Sequence, residues 1–114
     1  MAKSYLGRID SRSYYEGSAP QVVLRLEGAA SRRDTEVSEA IVGRARAIAR
    51  AYALPVLSDV DLTSGVRISD AEAEELASET SFLLSVTRDP LLSDVLDVIR
   101  ALALARLGRR YGSR

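Results

Sequence analysis

The chain contains no cysteine, no histidine and no tryptophan, and only one phenylalanine and one methionine among its 114 residues. Without cysteine there is no disulfide framework, no thiolate nucleophile and no Cys-ligated zinc or iron–sulfur site. Without histidine the usual general base near neutral pH and the commonest metal ligand are both missing. Ser-His-Asp and Cys-His hydrolases and His-ligated zinc enzymes are thereby excluded. The seven glycines stand at 7, 17, 28, 43, 65, 108 and 112, in no G-x-G or Walker spacing, so no phosphate cradle is written in the sequence. No apolar run approaches the ~18 residues of a membrane span. Residues 1–20 lack the apolar centre of a signal peptide, so the expectation is a cytoplasmic protein with no membrane partner. Lys3 is the only lysine, and the abundance of arginine and alanine suggests a GC-rich bacterial genome.

Hydrophobic residues make up 46% of the chain and charged residues 28%, the proportions of one ordinary globular domain. Sixteen basic and sixteen acidic residues cancel, so no bulk field draws the molecule to nucleic acid or membrane. The distribution is uneven all the same. Residues 55–87 hold Asp59, Asp61, Asp70, Glu72, Glu74, Glu75 and Glu79 against Arg67 alone. Excess positive charge sits in residues 1–33 and 88–114. An acidic block between two basic ones is the strongest unusual feature of the chain.

Periodicity predicts an α+β fold, a small N-terminal antiparallel sheet of two or three strands packed on three helices in the order β-β-α-(β)-α-α. Val22, Leu24 and Leu26 alternate with Val23, Arg25 and Glu27 as a half-buried strand does, and residues 5–10 form a weaker alternation. A first helix is expected from near Thr35, capped by Asp34 or Thr35, with Val37, Ile41, Ala45, Ile48 and Tyr52 on one face and Pro55 as its stop. Residues 55–68 read equally as a third strand or an extended loop. Ser69-Asp70-Ala71-Glu72 is a capping box, which opens a second helix to about Val86 that buries Ala73, Leu76, Ala77, Thr80, Leu83 and Leu84. Asp89-Pro90 opens a third helix, expected to end at Gly108. This helix is apolar over most of its girth, which places it at the centre of the core or against a second subunit and makes a homodimer plausible. Residues 1–108 form the expected single domain, with 109–114 as a short basic tail.

Asp59-x-Asp61 invites a calcium reading, but position six of that loop is Ser64 and position twelve is Asp70, so the spacing predicts a solvated turn and no metal site. Glu72, Glu75 and Glu79 share one helical stripe that runs on into Phe82 and Val86. Acidic residues leading to an aromatic suit docking of a basic protein partner. Tyr14 and Tyr15, flanked by Arg12 and Glu16, are further candidate contacts, since interfaces favour tyrosine and arginine. A DNA-reading helix would have to offer Arg, Lys, Asn or Gln along an exposed face. The third helix has only Arg100 and Arg106, and the second repels phosphate, so no nucleic-acid partner is expected.

The stretch Leu26-Glu27-Gly28-Ala29-Ala30-Ser31-Arg32-Arg33-Asp34-Thr35-Glu36 resembles the opening strand-to-helix segment of the small trimeric chorismate mutases. That resemblance implies an enzyme working with Arg, Glu and Tyr and needing neither His nor Cys. The family's catalytic arginine on this strand falls at Glu27, and the two long helices depart from the family's alternating pattern. The residues as a whole favour a non-catalytic protein-binding module, in its sharpest form a small bacterial inhibitor of the immunity or antitoxin type, without cofactor. The partner-binding candidates are Glu72, Glu75, Glu79, Phe82, Tyr14 and Tyr15. The alternatives are a homo-oligomeric assembly subunit and a cofactor-free enzyme, which would need a concave pocket where arginines, tyrosines and carboxylates converge.

Overall fold

A computed structural model describes residues 20–29 and 36–111, with the side chains of 109–111 left aside. The expected strand over 5–10, the Tyr14-Tyr15 pair and the Asp34 and Thr35 caps lie outside the described residues. The fold is α+β, a two-stranded antiparallel sheet followed by helices. Strand β1 (Gln21–Val23) pairs with β2 (Glu36–Ser38) in the register Gln21↔Ser38, Val22↔Val37 and Val23↔Glu36. The helices are α1 (Glu39–Ala51), α2 (Pro55–Asp59), α3 (Asp70–Val86) and α4 (Pro90–Tyr111).

The alternation of the first strand holds beyond β1. Leu24 and Leu26 are buried while Val23, Arg25 and Glu27 face solvent. Past Val23 the extended chain changes partner. The Arg25 N–H donates to the Leu62 carbonyl at 2.7 Å and the Glu27 N–H to the Val66 carbonyl at 3.0 Å, with a single parallel bridge Leu26↔Val66. Residues 55–68 are therefore neither a full strand nor a plain loop, but a short helix followed by a loop that bonds to the extended segment after β1 through the Leu62 and Val66 carbonyls.

The first helix starts later than its sequence signals indicate. Glu36, Val37 and Ser38 are drawn into the sheet, and Ser38 becomes the N-cap, accepting from the Ile41 N–H. Its buried face is Ile41, Val42, Ala45 and Ala49, and Tyr52 does not belong to it. The reason lies at the C-terminus. The Leu54 N–H donates to the Ala49 carbonyl and the Ala53 N–H to the Arg50 carbonyl, the paired bonds of a Schellman ending. That ending puts Ala53 at φ +60 and turns Tyr52 outward, 50% exposed.

Pro55 does not merely end α1; it is the first residue of α2. Both ends of this one-turn helix are held from outside. At its start the Glu79 carboxylate accepts from the Leu57 N–H at 2.7 Å and the Val56 N–H at 3.2 Å. At its finish Arg46 Nη2 donates to the Ser58 carbonyl at 3.1 Å. A negative group at the N-terminus and a positive one at the C-terminus both match the helix dipole.

Helix α3 spans the expected residues and opens on the expected capping box. The Glu72 N–H donates to Ser69 Oγ, and the Ser69 N–H donates back to Glu72 Oε1. Helix α4 is central to the core, burying Leu92, Val95, Leu96, Ile99, Leu102, Ala103 and Leu107. Asp89 caps its start, accepting from the Leu91 N–H, and a 2.8 Å pair to Arg44 ties that cap to α1. Gly108 does not terminate the helix, which continues to Tyr111, so the first residues of the expected tail are helical. The apolar girth of α4 is accounted for within the chain: α3 and α1 pack on it, and Leu104 is its one large exposed apolar side chain among the described residues.

Candidate functional site

Two surface regions bring chemistry-bearing groups together. The first is a cleft of about 690 Å³ where the segment after β1 meets the start of α3, lined by Glu27, Gly28, Arg67, Ile68, Ser69, Asp70 and Arg106. Gly28 adopts φ +96 there, and a Cβ at that position would stand 2.8 Å from Arg106 Cδ, so the glycine lets the arginine cross beneath the chain. Arg106 Nη1 donates to Asp70 Oδ1 at 2.8 Å and Nη2 to the Ile68 carbonyl at 2.9 Å. Beside it Arg67 donates through Nε and Nη2 to both carboxylate oxygens of Glu27. The Arg67 guanidinium holds the Glu27 carboxyl below its ordinary value.

The cleft thus supplies concavity, arginines and carboxylates, but these groups satisfy one another. A general base needs a carboxyl raised toward neutral pH, and the Glu27 carboxyl moves the other way. Among the described residues no tyrosine lines the cleft. The arrangement latches the end of α4 to the start of α3 and the strand segment. Asp61, the other acidic motif, accepts from the Thr63 hydroxyl and backbone N–H, which lower its carboxyl in a solvated turn. Among the described residues no group of three His, Cys, Asp or Glu side chains is placed to hold a metal ion.

The second region is the outer face of α3 and the corner where α1 ends. Phe82 is 42% exposed and Val86, one turn on, is 45% exposed. The ring of Tyr52 meets that of Phe82 edge to face, with centroids 5.3 Å apart and planes at 77°. Aromatic pairs of this geometry are ordinarily core or interface features. Glu75 is exposed two turns before Phe82 on the same stripe, and Glu72 lies exposed before it with its carboxylate on the capping box. Five carboxylates and no lysine or arginine are carried by α3.

Of the residues named from the sequence, Glu72, Glu75 and Phe82 lie on this face. Glu79 does not. It is 4% exposed, turned inward onto the backbone of α2. Burial pushes its carboxyl above the ordinary range, the two backbone N–H groups oppose that, and neighbouring Glu75 adds to the rise. The ideal wheel places Glu79 at the edge of the stripe, next to buried Thr80, and only a tertiary partner decides which way such a residue turns. Tyr52 is the contact that the periodicity misses, because a left-handed residue after it takes it off the buried face.

No family model, curated protein or solved structure matches this chain. The functional reading therefore rests on these residues alone.

Proposed function

We propose that the chain is a non-catalytic protein-docking module that receives a basic partner on the outer face of α3. One observation carries this reading: the Tyr52–Phe82 pair stands half in solvent, continuous with Val86, on a helix with five carboxylates and no cation. An apolar centre with the exposed Glu72 and Glu75 leading up to it has the composition of an interface core with a charged rim. Charge of one sign speeds encounter with an oppositely charged partner and selects against others. An inhibitor of the immunity or antitoxin type, covering a basic protein with this face, is the specific form that the acidity favours.

The test is affinity capture from native lysate at low and high salt, with the wild type beside Glu75→Lys and Phe82→Ser. The expected result is a basic protein held by the wild type at low salt, released at high salt and lost by both variants. Melting temperatures should stay within about 3 °C of wild type, since both side chains are at the surface. Capture unaffected by either substitution would overturn the proposal.

A further inference from the structure

We infer that the Tyr52–Phe82 pair is a seat for a guanidinium group, so that the partner on this face is anchored by arginine and not by lysine. This rests on the docking reading and names the side chain that it takes. Three features lead to it. Both rings are about half exposed, and the ring contact of each is with the other, so ring surface remains open to a planar cation. The negative quadrupole of an aromatic face attracts cations, and a guanidinium adds planar stacking that an ammonium lacks. Glu75 stands seven residues before Phe82, about 10 Å along the helix axis, and keeps the approach negative.

Lysine would suit the carboxylates as well as arginine does, because a point charge needs no plane. The rings are what discriminate. A guanidinium is also the more weakly hydrated of the two, so it gives up less on entering a half-apolar seat. Val86 extends that seat on the α3 side, where the aliphatic stem of the arginine can lie.

Hexa-arginine amide and hexa-lysine amide, titrated calorimetrically at low salt, test the inference. Phe82 is the only phenylalanine, so its ring signals in proton NMR report the seat without ambiguity. The expected result is that hexa-arginine binds about fivefold tighter and shifts the Phe82 ring signals, while hexa-lysine leaves them in place. Because arginine peptides can bind acidic surfaces more tightly for other reasons, the double variant Tyr52→Leu/Phe82→Leu is measured alongside, and the preference should fall below about twofold. Glu75→Gln should weaken both peptides by the same factor and keep the preference. Equal affinity of the two peptides for the wild type, or a preference that survives the double variant, would overturn the arginine seat while the docking reading stands. Binding of neither peptide would overturn both.

Discussion

At the start of α3, Asp70 receives Arg106, Glu27 receives Arg67, and a glycine at positive φ lets the arginine pass beneath the strand segment. Farther along the same helix, Glu75 stands exposed near the buried Glu79 carboxyl, while Tyr52 and Phe82 have each other and solvent. Both regions contain acids and lie at the surface, yet only the first has its charges neutralised. Concavity alone would have favoured the cleft as the functional site. The state of the polar groups reverses that order, because a group already satisfied by its own chain has little left to offer a ligand. A flat patch with open rings and acids lacking a cation has more.

The largest effect expected from breaking this comparison is at Glu79. Replacing it with alanine leaves the Val56 and Leu57 N–H groups without their acceptor, and should lower the unfolding free energy in urea by about 3 kcal/mol. Glu75→Ala, one turn away, should change it by no more than about 0.5 kcal/mol. Equal losses at the two positions would mean that Glu75, like Glu79, is held by its own chain and is not open to a partner. Next comes Gly28→Ala, which places a Cβ against Arg106 at a positive φ and should cost about 2 kcal/mol through loss of the Asp70 latch. The same substitution should leave binding at the α3 face unaltered, which separates the latch from the docking surface.

How much of this was legible in the sequence depends on how local the cause is. The capping box at Ser69–Glu72 and the full span of α3 follow from residues within one turn, and both were readable. So was the alternation through Leu24 and Leu26. Helix α2 was not, because its ends are held by Glu79 and Arg46, far along the chain from the segment they cap. Strand β2 was obscured by acidic and hydroxyl residues that resemble a helix start, until pairing with β1 claimed them. Of the docking face, Glu72, Glu75 and Phe82 were readable as a stripe. Tyr52 needed the Schellman turn to be known, and the fate of Glu79 needed α2.

A pH series sharpens the contrast between Glu79 and the paired carboxyls. In the folded protein burial raises the Glu79 carboxyl above its ordinary value, so the folded state holds that proton more tightly than the unfolded state. Stability from this group is present below the unfolded value and falls as pH rises through the folded one. Glu27, Asp61 and Asp89 act in the opposite sense. Glu27 is lowered by Arg67 and Asp61 by Thr63, while burial raises Asp89 but Arg44 and the Leu91 backbone outweigh it. Their contribution is present above the unfolded values and is lost as pH falls through the lowered ones. Melting temperature should therefore rise out of strong acid and then decline just above the ordinary glutamate range. In Glu79→Gln that decline should vanish while the acid limb remains. A decline of the same size in the variant would place its origin elsewhere.

The smallest effects lie in α1, the helix that carries Tyr52. Gly43 sits in its middle with open space where a Cβ would go, and Ala53 occupies the left-handed position after its end, where glycine is the residue at ease. Each is in the other's place. A mid-helix glycine costs backbone entropy, and a left-handed alanine crowds its Cβ against the following carbonyl. Gly43→Ala and Ala53→Gly should each stabilise the protein by about 0.5–1 kcal/mol, raising the melting temperature by about 3 °C. The two sites lie about 15 Å apart along the helix, so their effects should add. Neither touches Phe82, and a protein carrying both substitutions should bind hexa-arginine as the wild type does. A loss of binding in Ala53→Gly alone would mean that the strained turn is what holds Tyr52 against Phe82, and that the exposed pair owes its geometry to a residue outside either ring.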